Sequence, residues 1–212
     1  MTVLSPWPNA ARHAHLHECL PHERKMTEEL IRERFRQSFG ADLHTLMPRL
    51  FTLRADGGDL PGDLLCAFGL REAGRHRLYM EQYLDEPVEA VISKLADHEV
   101  RRDRIIEVGN LAALPGNART MIVTVTRYLH AAGYHWVVFT GVAALRAAFL
   151  RLGLKPQTIA RADPARLSPD DLANWGNYFA AMPQVMAGDV RYGHRVLTGS
   201  ADSAAVSWQS AS

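Results

Sequence analysis

Residues 104–140 read RIIEVGNLAALPGNARTMIVTVTRYLHAAGYHWVVFT, and the hydrophobic period changes along them. "RIIEVGNLAAL" (104–114) predicts a strand, "PGNA" (115–118) a turn, "RTMIVTVTRYLHAAG" (119–133) a helix ending near Gly133, and "YHWVVFT" (134–140) a second strand. "VAALRAAFLRLG" (142–153) adds a helix and "KPQTIA" (155–160) a short strand. A strand–loop–helix–strand–helix–strand order predicts an α/β unit with parallel pairing.

Upstream, residues 23–39 repeat Met26, Leu30, Ile31, Phe35 and Phe39 at helical spacing, with Gly40 after the end. "RLFTLRA" (49–55) and "DLLCAFGLRE" (63–72) predict strands joined as a hairpin by the turn material "DGGDLPG" (56–62). "DEPVEAVISKLADH" (85–98) predicts a helix with Pro87 in its first turn and Val88, Val91, Ile92 and Leu95 on one face. Asp85, Glu86 and Glu89 are expected in that first turn, where the helix dipole stabilises each by about 0.3–1 kcal/mol. Glu81 and Tyr83 precede it and need another explanation. The alternating His13, His15 and His17 are read as an exposed edge strand, with no metal site assigned, because no Cys or acidic ligand joins them at suitable spacing. Ser168 and Pro169 predict a capped helix start, and "PQVMAGDV" (183–190) a strand.

The chain has 212 residues, 47% of them hydrophobic and 22% charged, with a formal net charge of +1. These values suit one folded domain, expected over residues 1–196, with a Ser/Ala-rich flexible tail over 197–212. They imply no nucleic-acid partner. Cys19 and Cys66 are read as reduced thiols. With no leader-like N-terminus and no apolar run approaching the ~20 residues of a membrane span, a cytoplasmic location is expected, and contact with a membrane surface stays open.

Hairpin, bridging helix, strand, glycine-containing loop, helix, strand, helix, strand: over roughly residues 23–160 this order resembles the Gcn5-related N-acetyltransferases. The resemblance implies an α/β fold with a mixed sheet flanked by helices. It also implies that "LPGNAR" (114–119) is the loop that holds a donor's pyrophosphate on backbone N–H groups at a helix N-terminus. Only Gly116 and Ala118 match that motif, and Ala113 stands where a basic or amide residue usually opens it. A plain strand-to-helix turn is the other reading of the segment. Phe149 stands where many members carry the tyrosine thought to protonate the leaving thiolate, so that proton must come from elsewhere.

"YMEQYLDEPVE" (79–89), "IIEVGNLA" (105–112), "WVVFT" (136–140), "LRAAFLRLGL" (145–154), "ADPARL" (162–167), "WGNYF" (175–179) and "PQVMAGDV" together resemble the thermostable hemolysin family of proteobacteria. The resemblance runs approximately from Leu20 to Gly193 and implies an acyltransferase-like domain; the family's name records a lytic phenotype rather than a mechanism. A weaker similarity to acyl-homoserine lactone synthases rests on "RERFRQSF", "GLR" and "EVGNL". Val108, Gly109 and Asn110 depart from the synthases' pattern, so S-adenosylmethionine is not inferred as a substrate.

In the acyltransferase fold the strand bearing Glu107 splays from its neighbour, and the gap admits a pantetheine arm. The resemblance therefore implies catalysis by Glu107 as general base, with Glu81 facing the same gap and Asn110 beside backbone N–H groups that polarise the thioester carbonyl. It implies donor contacts from Gly109, Leu111, Gly116, Asn117, Ala118, Arg119 and Phe149, and acceptor contacts from Arg71, Tyr83 and Thr140. Glu81 paired with an arginine such as Arg71, Tyr83 as a core aromatic and Asn110 in a β-bulge are the structural alternatives. Trp136, Phe139 and Trp175 are read as core, and the resemblance implies that "PQVMAGDV" adds its strand near an acyl pocket that includes Met186. The expected activity is transfer of an acyl group, including long ones, from a coenzyme A or acyl-carrier-protein thioester to a small amine such as an amino acid, with no covalently bound cofactor. The short loop tilts the donor towards a carrier protein, docking on Arg101, Arg102, Arg104 and Arg127. The rival classes are a membrane-active lytic protein and an inactive acyl-thioester binding module.

Overall fold

The computed structural model describes residues 14–55 and 64–209, with 200–209 as helical backbone only. Among the described residues seven strands form one sheet: β1 (Ala14–Glu18), β2 (Arg49–Ala55), β3 (Leu64–Glu72), β4 (Ile105–Ala113), β5 (Trp136–Gly141), β6 (Gln157–Arg161) and β7 (Gln184–Asp189). Their order is β1-β2-β3-β4-β5-β7-β6. The helices are α1 (Arg24–Phe39), α2 (Val88–Ala96), α3 (Ala118–Ala131), α4 (Ala143–Arg151), α5 (Pro169–Asn174) and α6 (Val190–Gln209). Among the described strands only β4 and β5 pair in parallel, because α3 carries the chain back between them; the other neighbours are antiparallel.

Side chains alternate along β4 as the pleat requires. Ile106 and Val108 join a core with Met121, Val125 and Leu129 of α3, at helical spacing, and with Phe51 and Phe68. Ile105 packs on the opposite face with Met80, Ile92, Trp136 and Val138. Glu107 projects to that second face. Fully burying each such Ile, Leu or Phe contributes about 1.5–3 kcal/mol, so the sheet is held between two apolar layers while one carboxylate is carried into the interior.

The hairpin, α1 with its left-handed cap at Gly40, the Ser168 cap of α5 and the parallel β4–β5 unit agree with the sequence; the hairpin's turn lies outside the described residues. Other expectations differ. Met26 is 55% exposed, and α1 buries Thr27, Ile31 and Phe35 instead. Helix α2 begins at Val88, so Asp85 and Glu86 lie before it and bind Arg166 and Lys94. Strand β7 inserts between β5 and β6, and its Met186 packs in the core under α3. Helix α6 spans Val190–Gln209, and Leu197 on it is buried.

Candidate active site

Strands β4 and β5 pair from Ile105–Trp136 to Val108–Phe139 and then part company. Beyond that point β4 follows β3 to Ala113, while β5 follows β7 to Gly141. A bulge drives the separation: three steps on β4, from Gly109 to Ala112, face two on β3, from Gly69 to Ala67. Asn110 occupies the bulge at φ 52, a left-handed conformation Asn tolerates better than most residues. Its Oδ1 accepts a 2.8 Å hydrogen bond from the Met47 N–H. Met47 covers Gly69 and Gly109, where a Cβ would come within 2.3 Å of its side chain. Small residues on both strands therefore let the Met47 segment close over the bulge.

The gap holds a cleft of about 460 Å³. Arg71, Tyr83, Glu107, Gly109, Asn110, Leu111, Ala118 and Thr140, all expected at the site, line it together. Glu107 is 2% exposed. Its Oε2 accepts from the Tyr79 N–H at 2.8 Å and its Oε1 from the Met80 N–H at 3.1 Å. Burial pushes its pKa up to about 7, against the opposing pull of those N–H groups and of Arg71. A carboxylate poised there exchanges a proton at neutral pH. Arg71 is its cross-strand neighbour and lines the cleft, its guanidinium making no hydrogen bond to the described residues. Burial raises the Tyr83 pKa far above its ordinary value, so that hydroxyl stays protonated.

Glu81 does not join them. Its carboxylate accepts from the Leu78 N–H at 2.7 Å and from the Val88 N–H at 3.1 Å, the latter capping α2. Arg102 grips it with two further bonds of 2.7 and 2.8 Å. Burial works to raise its pKa, but the Arg102 guanidinium and the two N–H groups outweigh it and hold the carboxyl at about 2. The arginine partner is thus Arg102 rather than Arg71, and Glu81 fixes the 3-10 turn Tyr79–Tyr83 that donates to Glu107.

The donor side is less complete. Helix α3 opens after Leu114–Asn117, with Gly116 at φ 83 in open space. The Asn117 side chain turns back to the carbonyls of Leu114 and Pro115. The N–H groups of the first turn of α3 lack intrahelical partners, as at any helix N-terminus. Gly116, Asn117 and the exposed Arg119 lie outside the cleft lining, whereas Ala118 belongs to it. Arg151 lines the cleft and Arg34 binds the Ala113 carbonyl, placing two more cations near this end of β4. None of the four cations expected to dock a carrier protein lines the cleft, and Arg127 is on α3. Arg101, Arg102 and Arg104 stand at the opposite end of β4, where Arg101 pairs with Asp103 and Arg102 with Glu81 and Glu89. Phe149 stacks on Phe139 at 4.9 Å and lines a second, apolar cavity.

The sequence did not place Tyr79, Trp175 and Tyr178 at the cleft, yet all three line it. Backbone bonds from Asp42 N–H to the Asn174 carbonyl and from Asn177 N–H to the Phe39 carbonyl, both 2.8 Å, dock this segment on the end of α1. Gly176, at φ 53, makes that approach possible, since a Cβ there would sit 2.2 Å from the Phe39 carbonyl oxygen. Trp175 Nε1 then donates to Tyr79 Oη at 3.0 Å. The glycine in "WGNYF" was the available signal, but nothing local indicated which element it would meet. His15 and His17 lie on edge strand β1, His17 paired with Glu23, and His13 lies outside the described residues.

A mixed sheet with one splayed parallel pair, a bulge at the splay and a helix N-terminus beyond it defines an α/β fold of the Gcn5-related N-acyltransferase type. The chain belongs to the thermostable hemolysin family, whose sequence model matches residues 18–194. No curated protein matches it in sequence. Among solved structures it is similar to FeeM, an N-acyl amino acid synthase from uncultured soil microbes, with TM-score 0.53 and 16% identity over 84% of this chain and 93% of FeeM. It is also similar to the acyl-homoserine lactone synthase LasI, with TM-score 0.55 and 12% identity over 89% and 96% of the two chains. A third is BjaI, a coenzyme A-dependent acyl-homoserine lactone synthase solved with SAM and isopentyl-CoA, with TM-score 0.51 and 14% identity over 87% and 88%. At these identities the likeness is one of fold. Among the described residues no helix is long and apolar enough to cross a membrane.

Proposed function

We propose that the chain is an N-acyltransferase that moves an acyl group from a phosphopantetheine thioester to a small amine such as an amino acid. The observation that carries this reading is Glu107, buried at the splay of β4 from β5 and bordering the cleft with a pKa near neutrality. In the proposed reaction the thioester lies in the gap with its carbonyl near the backbone of Gly109 and Asn110. Glu107 takes a proton from the acceptor's ammonium group, and the freed amine attacks the carbonyl carbon. The tetrahedral intermediate collapses with cleavage of the C–S bond. Of the two protons lost by nitrogen, one ends on the departing thiolate and the other in solvent. Arg71, beside Glu107, suits a carboxylate on the acceptor.

The donor is a thioester of coenzyme A or of a carrier protein. Arg34, Arg119 and Arg151 would meet its phosphates, in preference to the arginines at the start of β4. The apolar cavity shares Val108, Leu111, Met121 and Leu145 with the cleft and would receive a long acyl chain.

Mass spectrometry of extracts from a host overexpressing the protein tests this function. N-acylated amines should accumulate with the native chain and be absent with Glu107→Gln at equal expression. Identical extracts would count against the reading.

A further inference from the structure

Resting on the acyltransferase reading, we infer that Gly188 and Gly193 set the length of acyl chain the protein accepts. Both line the apolar cavity, Gly188 from β7 and Gly193 from the first turns of α6. The cavity has a volume of about 70 Å³ and passes under α3 from Met121 through Val125 to Leu129. At 1.5 Å per residue that path is about 12 Å long.

Neither glycine is required by the backbone. Gly188 and Gly193 both lack the positive φ found at Gly116 or Gly176. Nor does close packing demand them. A Cβ on Gly193 would sit 3.4 Å from Thr126 Cγ2 and 3.6 Å from Leu154 Cδ2. One on Gly188 would sit 3.4 Å from Val137 Cγ1 and 3.9 Å from Pro156 Cβ. These are ordinary van der Waals contacts, unlike the 2.3 Å approach of Met47 to Gly109. A glycine inside a helix or strand is less favourable than alanine by about 0.5–1 kcal/mol, so both positions forgo a stabilising methyl. What each leaves instead is open volume, and it is volume in the same cavity. Thr126, Leu154, Val137 and Pro156, the neighbours each methyl would meet, line that cavity too.

The test is chain-length preference in Gly188→Ala and Gly193→Ala, read in two ways. Binding is measured by titrating a series of saturated fatty acids, and transfer by kcat/KM on the matching acyl thioesters. Each substitution adds one methyl group, so the preferred chain should shorten by about one or two carbons. The longest chain accepted by the native protein should lose about tenfold in affinity, as overpacking predicts, while short chains are unaffected. The two changes lie on different elements, so misfolding of one variant leaves the other to decide. Unchanged preference, or an equal loss at every length, would overturn the inference. Shortened binding preference without transfer in the native protein would uphold the cavity's role and instead refute the acyltransferase reading.

Discussion

Replacing Glu107 by Gln should alter stability and activity in opposite senses as pH rises. Below about pH 4.5 the carboxyl is protonated in both the folded and the unfolded chain and contributes no pH dependence. As pH rises the unfolded chain releases the proton while the folded one retains it up to about 7. Raising the carboxyl from 4.5 to about 7 therefore costs the fold about 3 kcal/mol once pH exceeds that value. Gln removes this loss. It also turns an amide N–H₂ towards the N–H of Tyr79 or Met80, breaking one of two bonds to Glu107 at a cost of about 1–3 kcal/mol. The variant should be less stable than the native protein near pH 5 and equal to or more stable than it near pH 8, a relative change of about 2–3 kcal/mol. Urea melts of both proteins at the two pH values measure this. Over the same range native kcat/KM should rise with pH and level off above about 7. Glu107→Gln should lie about 10²–10⁴-fold lower throughout. A stability difference independent of pH, together with full activity, would refute the assignment of Glu107 as a buried base.

Glu81→Gln should behave differently, because its carboxylate is held ionised by Arg102 and two N–H groups. Breaking such a buried pair should cost about 3–5 kcal/mol. The native pair's stabilisation, present above about pH 4.5, should fade as pH falls towards 2, and chemical denaturation across the acid range should show a shallower decline in the variant. Gly176→Ala combines a positive φ with a Cβ 2.2 Å from a carbonyl oxygen. The backbone conformation alone should cost about 1–3 kcal/mol, lowering Tm and shifting Trp175 fluorescence to the red; an unshifted spectrum would mean the segment is not pinned to α1. Arg71→Ala should raise KM for a carboxylate-bearing acceptor well beyond its effect on kcat, whereas an equal effect on an acceptor lacking the carboxylate would remove Arg71 from recognition.

Local periodicity carried much of the fold. The change from strand to helix to strand across 104–140 announced the parallel pair, and Gly40, Gly133 and Ser168 marked helix ends by conformations or hydrogen bonds that few other residues supply as well. What periodicity leaves out is which distant groups meet. Glu81 looked like a second acid facing the gap because its partner, Arg102, lies across α2 in sequence and only the tertiary fold brings them together. Trp175 read as core, and the backbone docking of Asn174–Asn177 on α1 brings it to the cleft. Strand β7 lies between β5 and β6 because it pairs antiparallel with both, an arrangement without any local pattern. Glu107 was legible because the fold resemblance placed its strand at the splay. Its burial and two N–H partners belong to the 3-10 turn, which no motif announced.

The most direct test of the central claim is donor-dependent acyl transfer by the purified protein, with defined liposomes containing a trapped dye in parallel. Given an acyl-coenzyme A or acyl-carrier-protein thioester and a mixture of amino acids, mass spectrometry should find an N-acyl product, with free thiol released in equal amount. Liposomes without donor should remain sealed. Prompt leakage in the absence of any thioester, with no N-acyl product from either donor, would contradict the account and favour a lytic protein built on an acyltransferase fold.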